Sequence, residues 1–244
     1  MEQSKTPLSK TGSVALLMLL ALGRVSQGAS PGDAPQLPIT GTRIVNVATE
    51  PQLQTAMGNL QTGDTILLAN ETYNLTSTLY VNGKNNVTIR GASGSTNVVL
   101  AGKGMDNSSY GNVPFGIWSN GTNTTIAHLT IRDTWDNEII FNPGAQSPHV
   151  YCVRLINAGS QFIKSNPTDV NAGSGVDNGI VEYCWVEYTG SPPADHGSGV
   201  GYFNGSARMP PGIGSFAAIF SRIFTIRTRR RTCGIQPSFS GGIP

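Results

Sequence analysis

Charged and aromatic residues are scarce in this sequence of 244 residues: Asp, Glu, Lys and Arg make up 12% of it, and Phe, Trp and Tyr 7%. Long solvent-exposed helices need Glu, Lys and Arg, so the low charge, together with 30 Gly and 15 Pro, argues against a helical protein. The hydrophobic fraction is nevertheless 38%, which argues against a disordered chain. The composition therefore favours an all-β protein with many turns.

Motifs of several common enzyme classes are also missing. The sequence has no serine-hydrolase elbow, no phosphate-binding glycine loop and no dinucleotide fingerprint. His128, His149 and His196 share no metal-ligand spacing. Asp195-His196 is either an acid–base pair or part of a polar loop.

The first 28 residues have the pattern of a secretory signal peptide. Lys5 and Lys10 precede the apolar run 14–22, and small residues follow at Ser26 and Gly28. A nine-residue run is too short to span a bilayer, which takes about 20 residues, and no other segment is apolar enough. We therefore expect a secreted protein, extracellular or periplasmic, with no membrane span. Residues 29–42, with three prolines, are predicted to form an extended leader.

The net charge of +2 averages unlike segments. Residues 206–244 hold six Arg and no acid, whereas residues 29–205 hold 7 basic against 13 acidic residues, a net charge of −6. A basic tail is typical of nucleic-acid or membrane binding. However, parts of this tail read as strand-like sequence in a shifted frame. We interpret residues 206–244 as an out-of-frame, disordered extension of a truncated fold, and we expect no nucleic-acid partner.

Short strands separated by Gly and Asn follow from Arg43 onward. The exception is Glu50–Leu60, whose apolar spacing predicts a short helix after a first strand at Ile44–Val47. The other predicted strands and apolar pairs are Thr65–Leu68, Val87–Arg90, Val98–Leu100, Thr125–Arg132, Ile139-Ile140, Val150–Ile156, Phe162-Ile163 and Ile180–Tyr188.

The strands recur at irregular offsets, which is typical of a parallel β-helix, although a β-sandwich would also show short strands and frequent turns. Val87–Arg90 matches Leu129–Arg132 at an offset of 42, and later matches follow at 24 and 31. These matches place Ile89, Ile131, Leu155 and Val186 inside. The predicted outward rows are Thr88, Thr130, Arg154 and Trp185, and Arg90, Arg132, Ile156 and Glu187.

Residues 43–102 carry a recognisable pattern. The first strand and helix are followed by Thr62-Gly-Asp-Thr-Ile-Leu-Leu68, then Tyr73, then Val87-Thr-Ile-Arg-Gly91. This order resembles the N-terminal cap and first coils of secreted right-handed parallel β-helix proteins of the pectate-lyase-like superfamily, with Thr62 where Pro is usual. The resemblance covers roughly residues 43–205. It implies a solenoid, here truncated at its C-terminal end, and a little-characterised branch of a fold that hosts lyases, hydrolases, epimerases and adhesins.

The resemblance implies a polysaccharide partner and, for an enzyme, β-elimination from an acidic glycan. In related lyases Lys or Arg removes the C5 proton or neutralises the carboxylate, so Lys164 and Arg154 are the candidate catalytic residues. Trp185 beside Arg154 would stack on a sugar, although an ordinary surface cation–π pair is the alternative. Arg132, Glu187 and His196 complete the predicted substrate-binding set.

Two sets of acids are candidates for Ca²⁺, which prefers six to eight oxygen ligands. One set is Asp177, Glu182 and Glu187, of which Asp177 and Glu182 are the predicted ligands; the other is Asp133, Asp136 and Glu138. Neither set has the spacing of a tight calcium loop, and solvated acids are the alternative. No other cofactor is expected. We expect the protein to be a monomer. A noncatalytic glycan-binding β-helix and an inactive truncated product remain alternative functions.

Cys152 and Cys184 could bond between neighbouring coils or stay as buried thiols. Their one-position misalignment in the predicted register favours thiols.

Overall fold

The computed structural model describes residues 34–166 and 175–190, which contain one helix and thirteen strands. The predicted signal peptide, the tail at 206–244 and the Asp195-His196 pair lie outside these residues. The helix is α1 (Glu50–Gly58). The strands are β1 (Arg43–Val47), β2 (Asp64–Leu68), β3 (Thr72–Asn74), β4 (Leu79–Val81), β5 (Thr88–Gly91), β6 (Val99–Ala101), β7 (Ile117–Ser119), β8 (Thr125–Arg132), β9 (Ile139–Phe141), β10 (His149–Ile156), β11 (Ile163–Ser165), β12 (Ile180–Glu182) and β13 (Trp185–Glu187).

Two parallel sheets account for these strands. In the large sheet β1, β2, β5, β8, β10 and β12 stack in that order, while β3, β6 and β13 pair beside them. In the small sheet β4, β7, β9 and β11 stack in chain order. The chain therefore passes from the large sheet to the small sheet and back, once per coil. This is an all-β parallel fold with very little helix, compatible with the β-helix predicted above.

The core lies between the two sheets and consists of apolar side chains at equivalent positions of successive coils. Ile89, Ile131 and Leu155 are fully buried, and Val186 packs against the same core, as predicted. Each buried side chain of this size contributes roughly 1.5–3 kcal/mol. Register-matched rows of the core are Ile66, Ile89, Ile126, Val150 and Val181, then Leu100, Ile131, Leu155 and Val186, then Leu79, Ile117, Ile139 and Ile163.

A left-handed residue bends each of the later coils within the large sheet. His128, Cys152 and Tyr183 have φ of 54°, 52° and 56°, and each is followed two residues later by outward-facing Thr130, Arg154 or Trp185. The bend breaks the alternation of the strand, so that Ile126 and Leu129, three positions apart, both point inward. In the coil before His128 this position is Gly91, where a Cβ would lie 2.2 Å from the carbonyl oxygen of His128. Only glycine fits there.

The predicted offset of 42 between Val87–Arg90 and Leu129–Arg132 is wrong. Thr88 and Arg90 pair with Thr125 and Ala127 in the first half of β8, and the second half of β8 pairs with β6 instead. The cause is the connection between β5 and β6, which lets one long strand face two short ones. Thr88 and Arg90 therefore do not belong to the outward rows of Thr130 and Arg132. The later offsets of 24 and 31 are confirmed by the pairing of β10 with β8, β12 and β13.

Helix α1 covers the first coil, as the sequence predicts. Thr49 is its N-cap and accepts a hydrogen bond from Gln52 N, an interaction worth about 1 kcal/mol. Leu53, Ala56 and Met57 are buried against the core. Within the described residues no helix is long and apolar enough to cross a membrane.

Residues 34–42, which we call the strap, lie across the large sheet. Thr42 N donates to Gly63 O at 2.8 Å, and Tyr151 OH donates to Pro35 O at 2.7 Å, so the strap spans from the coil of β2 to that of β10. Ala34 and Leu37 pack against Ala127, Tyr151 and Cys152. The described part of the predicted leader is therefore ordered on the sheet.

Cys152 and Cys184 are both buried and are not joined by a disulfide. Val153, the neighbour of Cys152, occupies the position equivalent to Cys184, because Arg154 pairs with Trp185. The predicted one-position misalignment is thus confirmed. Burial raises the pKa of the Cys152 thiol to about 11, which makes it a poor nucleophile at neutral pH.

Glu138 is fully buried in the turn before β9. Its Oε1 accepts a hydrogen bond from Ile156 N at 3.0 Å. Burial raises the pKa of this carboxyl well above its usual range, the hydrogen bond from Ile156 lowers it in part, and the charge of Asp133 raises it further. The folded protein therefore holds this proton at pH values where the unfolded chain has lost it.

We expect this carboxyl to make stability fall as pH rises. A folded-state pKa above the unfolded value of about 4.3 means that stability is full below that value and is lost above it, by up to about 1.4 kcal/mol per pH unit. Glu138→Gln removes the titration, so urea unfolding of the variant between about pH 4 and pH 8 will give a flatter curve than that of the wild type. Glu71→Gln, at an exposed position, is the control. Parallel curves for wild type and Glu138→Gln would contradict this assignment.

Candidate functional site

The predicted outward rows on the large sheet are present in its last three coils. Arg154 pairs with Thr130 on one side and Trp185 on the other, and Ile156 pairs with Arg132 and Glu187 in the same way. Adjacent parallel strands lie about 4.8 Å apart. The predicted neighbours Arg154 and Trp185 are therefore adjacent on one face.

Both arginines of these rows, Arg132 and Arg154, form ion pairs with acids. Arg154 Nε donates to Glu187 Oε1 at 2.8 Å, and Arg154 Nη2 contacts the same oxygen. Arg132 Nη1 lies 3.1 Å from Asp133 Oδ2. A uronate carboxylate that binds Arg154 would have to displace Glu187. The same ion pair occupies Glu187, which was itself predicted to bind substrate. Trp185 is half-buried and offers only part of its ring.

Lys164 lies elsewhere, on the small sheet. It pairs with Ile140, which pairs with Trp118, which pairs with Tyr80, so these four residues form one outward row along the stack. We call this the small-sheet row. Lys164 forms no ion pair with an acid in residues 34–166 and 175–190, in contrast to Arg132 and Arg154. The two predicted catalytic residues thus lie on different sheets, and only Lys164 has no carboxylate beside it in the described part.

An aromatic pair lies at the other end of this row, separated from Lys164 by Ile140, which is only 5% exposed. Tyr80 is 45% exposed, and its ring centroid lies 5.8 Å from that of half-buried Trp118. In the turns that lead into the small sheet, Tyr110 stacks on Trp135 with centroids 5.1 Å apart. Tyr80 and Trp118 were not predicted from the sequence, because β4 and β7 are three-residue strands without a recognisable apolar alternation. The isolated aromatic residue at the centre of each was the available signal.

Asparagines lie alongside the small-sheet row, at the C-terminal ends of its strands. Asn120 Nδ2 donates to Asn82 Oδ1 at 3.2 Å, and Asn166 Nδ2 donates to Asn142 Oδ1 at 2.9 Å. Each of these residues directly follows a strand of the small sheet. The amides pair from coil to coil and leave a polar border beside the aromatic pair.

Two acids of the first predicted calcium set contact other side chains of the protein. Glu182 Oε1 lies 3.0 Å from His149 Nε2, and Glu187 is paired with Arg154. Asp177 lies in the turn before β12, where its backbone bonds Ser147 and Gln146. No group of three His, Cys, Asp or Glu side chains within residues 34–166 and 175–190 is placed to hold a metal ion.

Glu138 and Asp133 of the second acidic set also have partners within the protein. Glu138 is fully buried and its pKa is raised by that burial, whereas Asp133 Oδ1 accepts a hydrogen bond from Asn157 Nδ2 and Asp133 Oδ2 contacts Arg132.

Two further histidines lie on the large sheet. His149 contacts Glu182, and its ring centroid lies 5.4 Å from that of Tyr151. His128 is fully buried, and its Nε2 accepts a hydrogen bond from Leu37 N in the strap at 3.2 Å. Burial, and secondarily the charge of Arg90, lowers the pKa of His128 to about 4. His128 is therefore a neutral acceptor at physiological pH. His196 lies outside the described residues.

Comparison with known proteins gives little. No family model matches the chain, and no curated protein matches it. Among solved structures, the crystal structure of alginate lyase from Paenibacillus sp. str. FPU-7 is similar with a TM-score of 0.44 and 20% sequence identity. The alignment covers 60% of this chain and 58% of the lyase chain, so the match extends over less than two thirds of either. A similarity at this level defines neither the reaction nor the substrate.

We expect the Arg154–Glu187 pair to contribute little to stability. The Arg154 side chain is 45% exposed, and exposed ion pairs contribute about 0–1 kcal/mol. Arg154→Ala will therefore lower the free energy of unfolding by less than about 1 kcal/mol, measured by urea titration. Leu155→Ala, one position along in the core, will cost about 2–5 kcal/mol. Equal losses for the two variants would show that Arg154 has a structural role.

Proposed function

We propose that this protein is a secreted right-handed parallel β-helix that binds extracellular acidic polysaccharide along the small-sheet row and cleaves it by β-elimination. Export would rest on residues 1–28, and the protein would act as a monomer. The observation that carries the proposal is the small-sheet row itself: an aromatic pair, Tyr80 and Trp118, in line with Lys164, which has no acid partner in the described residues.

General stereochemistry supports a right-handed coil. Every paired strand runs parallel to its neighbour, and successive strands of one sheet are joined by a passage through the other. Connections between parallel strands of one sheet are right-handed in about 98% of cases. This supports the handedness in our proposal.

The small-sheet row suits a sugar chain that lies along the stack. The ring centroids of Tyr80 and Trp118 lie 5.8 Å apart in neighbouring coils, with their planes tilted by 54°. Aromatic rings stack on the apolar faces of sugars, and the amides of Asn82 and Asn120 lie at the strand ends to bond hydroxyl groups. The Lys164 ammonium two coils further along would pair with a uronate carboxylate.

β-Elimination at this row requires two roles. One group neutralises the carboxylate, and a base removes the C5 proton, after which the C4–oxygen bond breaks, a C4–C5 double bond forms and the leaving oxygen is protonated. Lys164 can fill one of these roles for a given sugar, but not both. Arg154 is on the other sheet and bonded to Glu187. This separation favours noncatalytic glycan binding as the second candidate function.

We expect Lys164 and Trp118 to determine glycan binding. Lys164→Met will weaken binding of trigalacturonate about tenfold or more, because it removes a charge-assisted contact, and will leave binding of neutral maltotriose unchanged. Trp118→Ala will weaken binding of both. Isothermal titration measures each affinity, and Lys84→Met, a lysine at a turn outside the row, is the matched control.

Absorbance at about 235 nm on pectate, alginate and chondroitin, with and without Ca²⁺, separates cleavage from binding. Product formation that Lys164→Met abolishes supports the lyase. Binding without product supports the noncatalytic function. If Lys164→Met and Lys84→Met bind trigalacturonate equally well, the small-sheet row is not the site.

A further inference from the structure

The strap crosses four strands of the large sheet, and the sheet holds it mostly by its main-chain oxygens. Thr65 Oγ1 donates to Thr40 O, Arg90 Nη1 to Leu37 O at 2.6 Å and Pro38 O at 3.1 Å, and Tyr151 OH to Pro35 O. His128 Nε2 accepts from Leu37 N. The face beneath the strap is therefore a line of donors that bind a series of acceptors along an extended chain.

Arg90 is the unusual member of this line. Its side chain is 1% exposed, and burial lowers the pKa of its guanidinium. Nε bonds Gly91 O at 3.2 Å, Nη1 bonds the two strap carbonyls, and Nη2 has no partner among the described residues although it is fully buried. No acid in the described residues forms an ion pair with it.

A buried guanidinium without an anion is costly, and three neutral carbonyls compensate it only in part. The planar fork of Arg is suited to two parallel hydrogen bonds from a carboxylate. With a carboxylate in place of the Leu37 and Pro38 carbonyls, both Nη1 and Nη2 would be bonded and the charge would be neutralised.

The surroundings of Arg90 suit an acidic chain rather than an isolated ion. Thr65 and Tyr151 donate hydroxyl groups on either side of Arg90 along the stack. The carboxylate further along the Arg90 row, Glu182, is paired with His149. The apolar contacts of the strap are those of Ala34 and Leu37 with Ala127, Tyr151 and Cys152.

We propose that the face of the large sheet beneath the strap is a second binding site for an extended acidic oligosaccharide, with Arg90 binding a uronate carboxylate and the strap closing the site. The substrate class rests on the proposed function, whereas the site does not, because it lies on the other sheet from Lys164. The strap acts as an internal competitor, bonding with main-chain carbonyls the same donors that the acidic chain uses.

Hydrogen–deuterium exchange on the wild-type protein tests this directly. Trigalacturonate at saturating concentration will speed exchange of the Leu37 amide, whose bond to His128 is lost when the strap leaves, by about tenfold or more. Maltotriose, the neutral trisaccharide, will not. Unchanged exchange at Leu37 in the presence of trigalacturonate overturns the proposal.

Variants assign the effect to Arg90. Leu37→Gly loosens the strap and will raise trigalacturonate affinity about tenfold over the wild type, measured by titration calorimetry. Adding Arg90→Gln to Leu37→Gly will remove that gain, whereas Arg90→Lys, which keeps the charge and loses the fork, will retain part of it. Equal affinity of Leu37→Gly with and without Arg90→Gln overturns the role of Arg90.

Lys164→Met separates this site from the small-sheet row. When Lys164→Met is added to Leu37→Gly, the rise in trigalacturonate affinity that Leu37→Gly causes will remain. This holds even if Lys164→Met abolishes binding at the small-sheet row. If Lys164→Met removes the gain, the second site does not exist. Circular dichroism shows whether each variant is folded. If a variant does not fold, the hydrogen–deuterium exchange experiment on the wild-type protein still tests the proposal.

Discussion

In-register stacking of parallel strands is the interaction on which the rest of this structure depends. The strands of each coil pair with strands of the coil above or below, so a shift of one residue would turn the buried side chains outward. The register aligns Ile66, Ile89, Ile126, Val150 and Val181 inside the stack. It also aligns the outward residues, and the small-sheet row with Lys164 is a direct product of that alignment.

Most of the secondary structure could be predicted from the sequence, because strong local signals coincide with it. Thr125–Arg132 is a strand with the predicted bounds, and helix α1 begins at Glu50, beside an N-cap threonine. The early register could not be predicted. Val87-Thr-Ile-Arg90 and Leu129-Thr-Ile-Arg132 share their letters, yet Thr88 pairs with Thr125, because the length of the intervening connection decides which half of β8 lies above it. A repeat with unequal coils is not determined by matching letters alone.

The candidate sites were harder to predict, since their character depends on pairing partners distant in sequence. Arg154 and Trp185 lie where the sequence places them, but the acid that occupies Arg154 is Glu187, 33 positions away. Arg90 faces away from the core, as predicted, but it lies beside Ala127 rather than Arg132 and is buried beneath the strap. The sequence around Arg90 gives no sign that the strap buries it, because the strap lies about 50 positions earlier in the chain.

The connections of the stack differ in length far more than its strands do. Residues 102–116 join β6 to β7, while residues 133–138 make the equivalent passage in the next coil, and Tyr110 in the longer connection stacks on Trp135 in the shorter one. Both coils nevertheless keep their pairing. A connection in this stack of parallel strands can therefore be longer or shorter without disturbing the pairing of the strands that it joins.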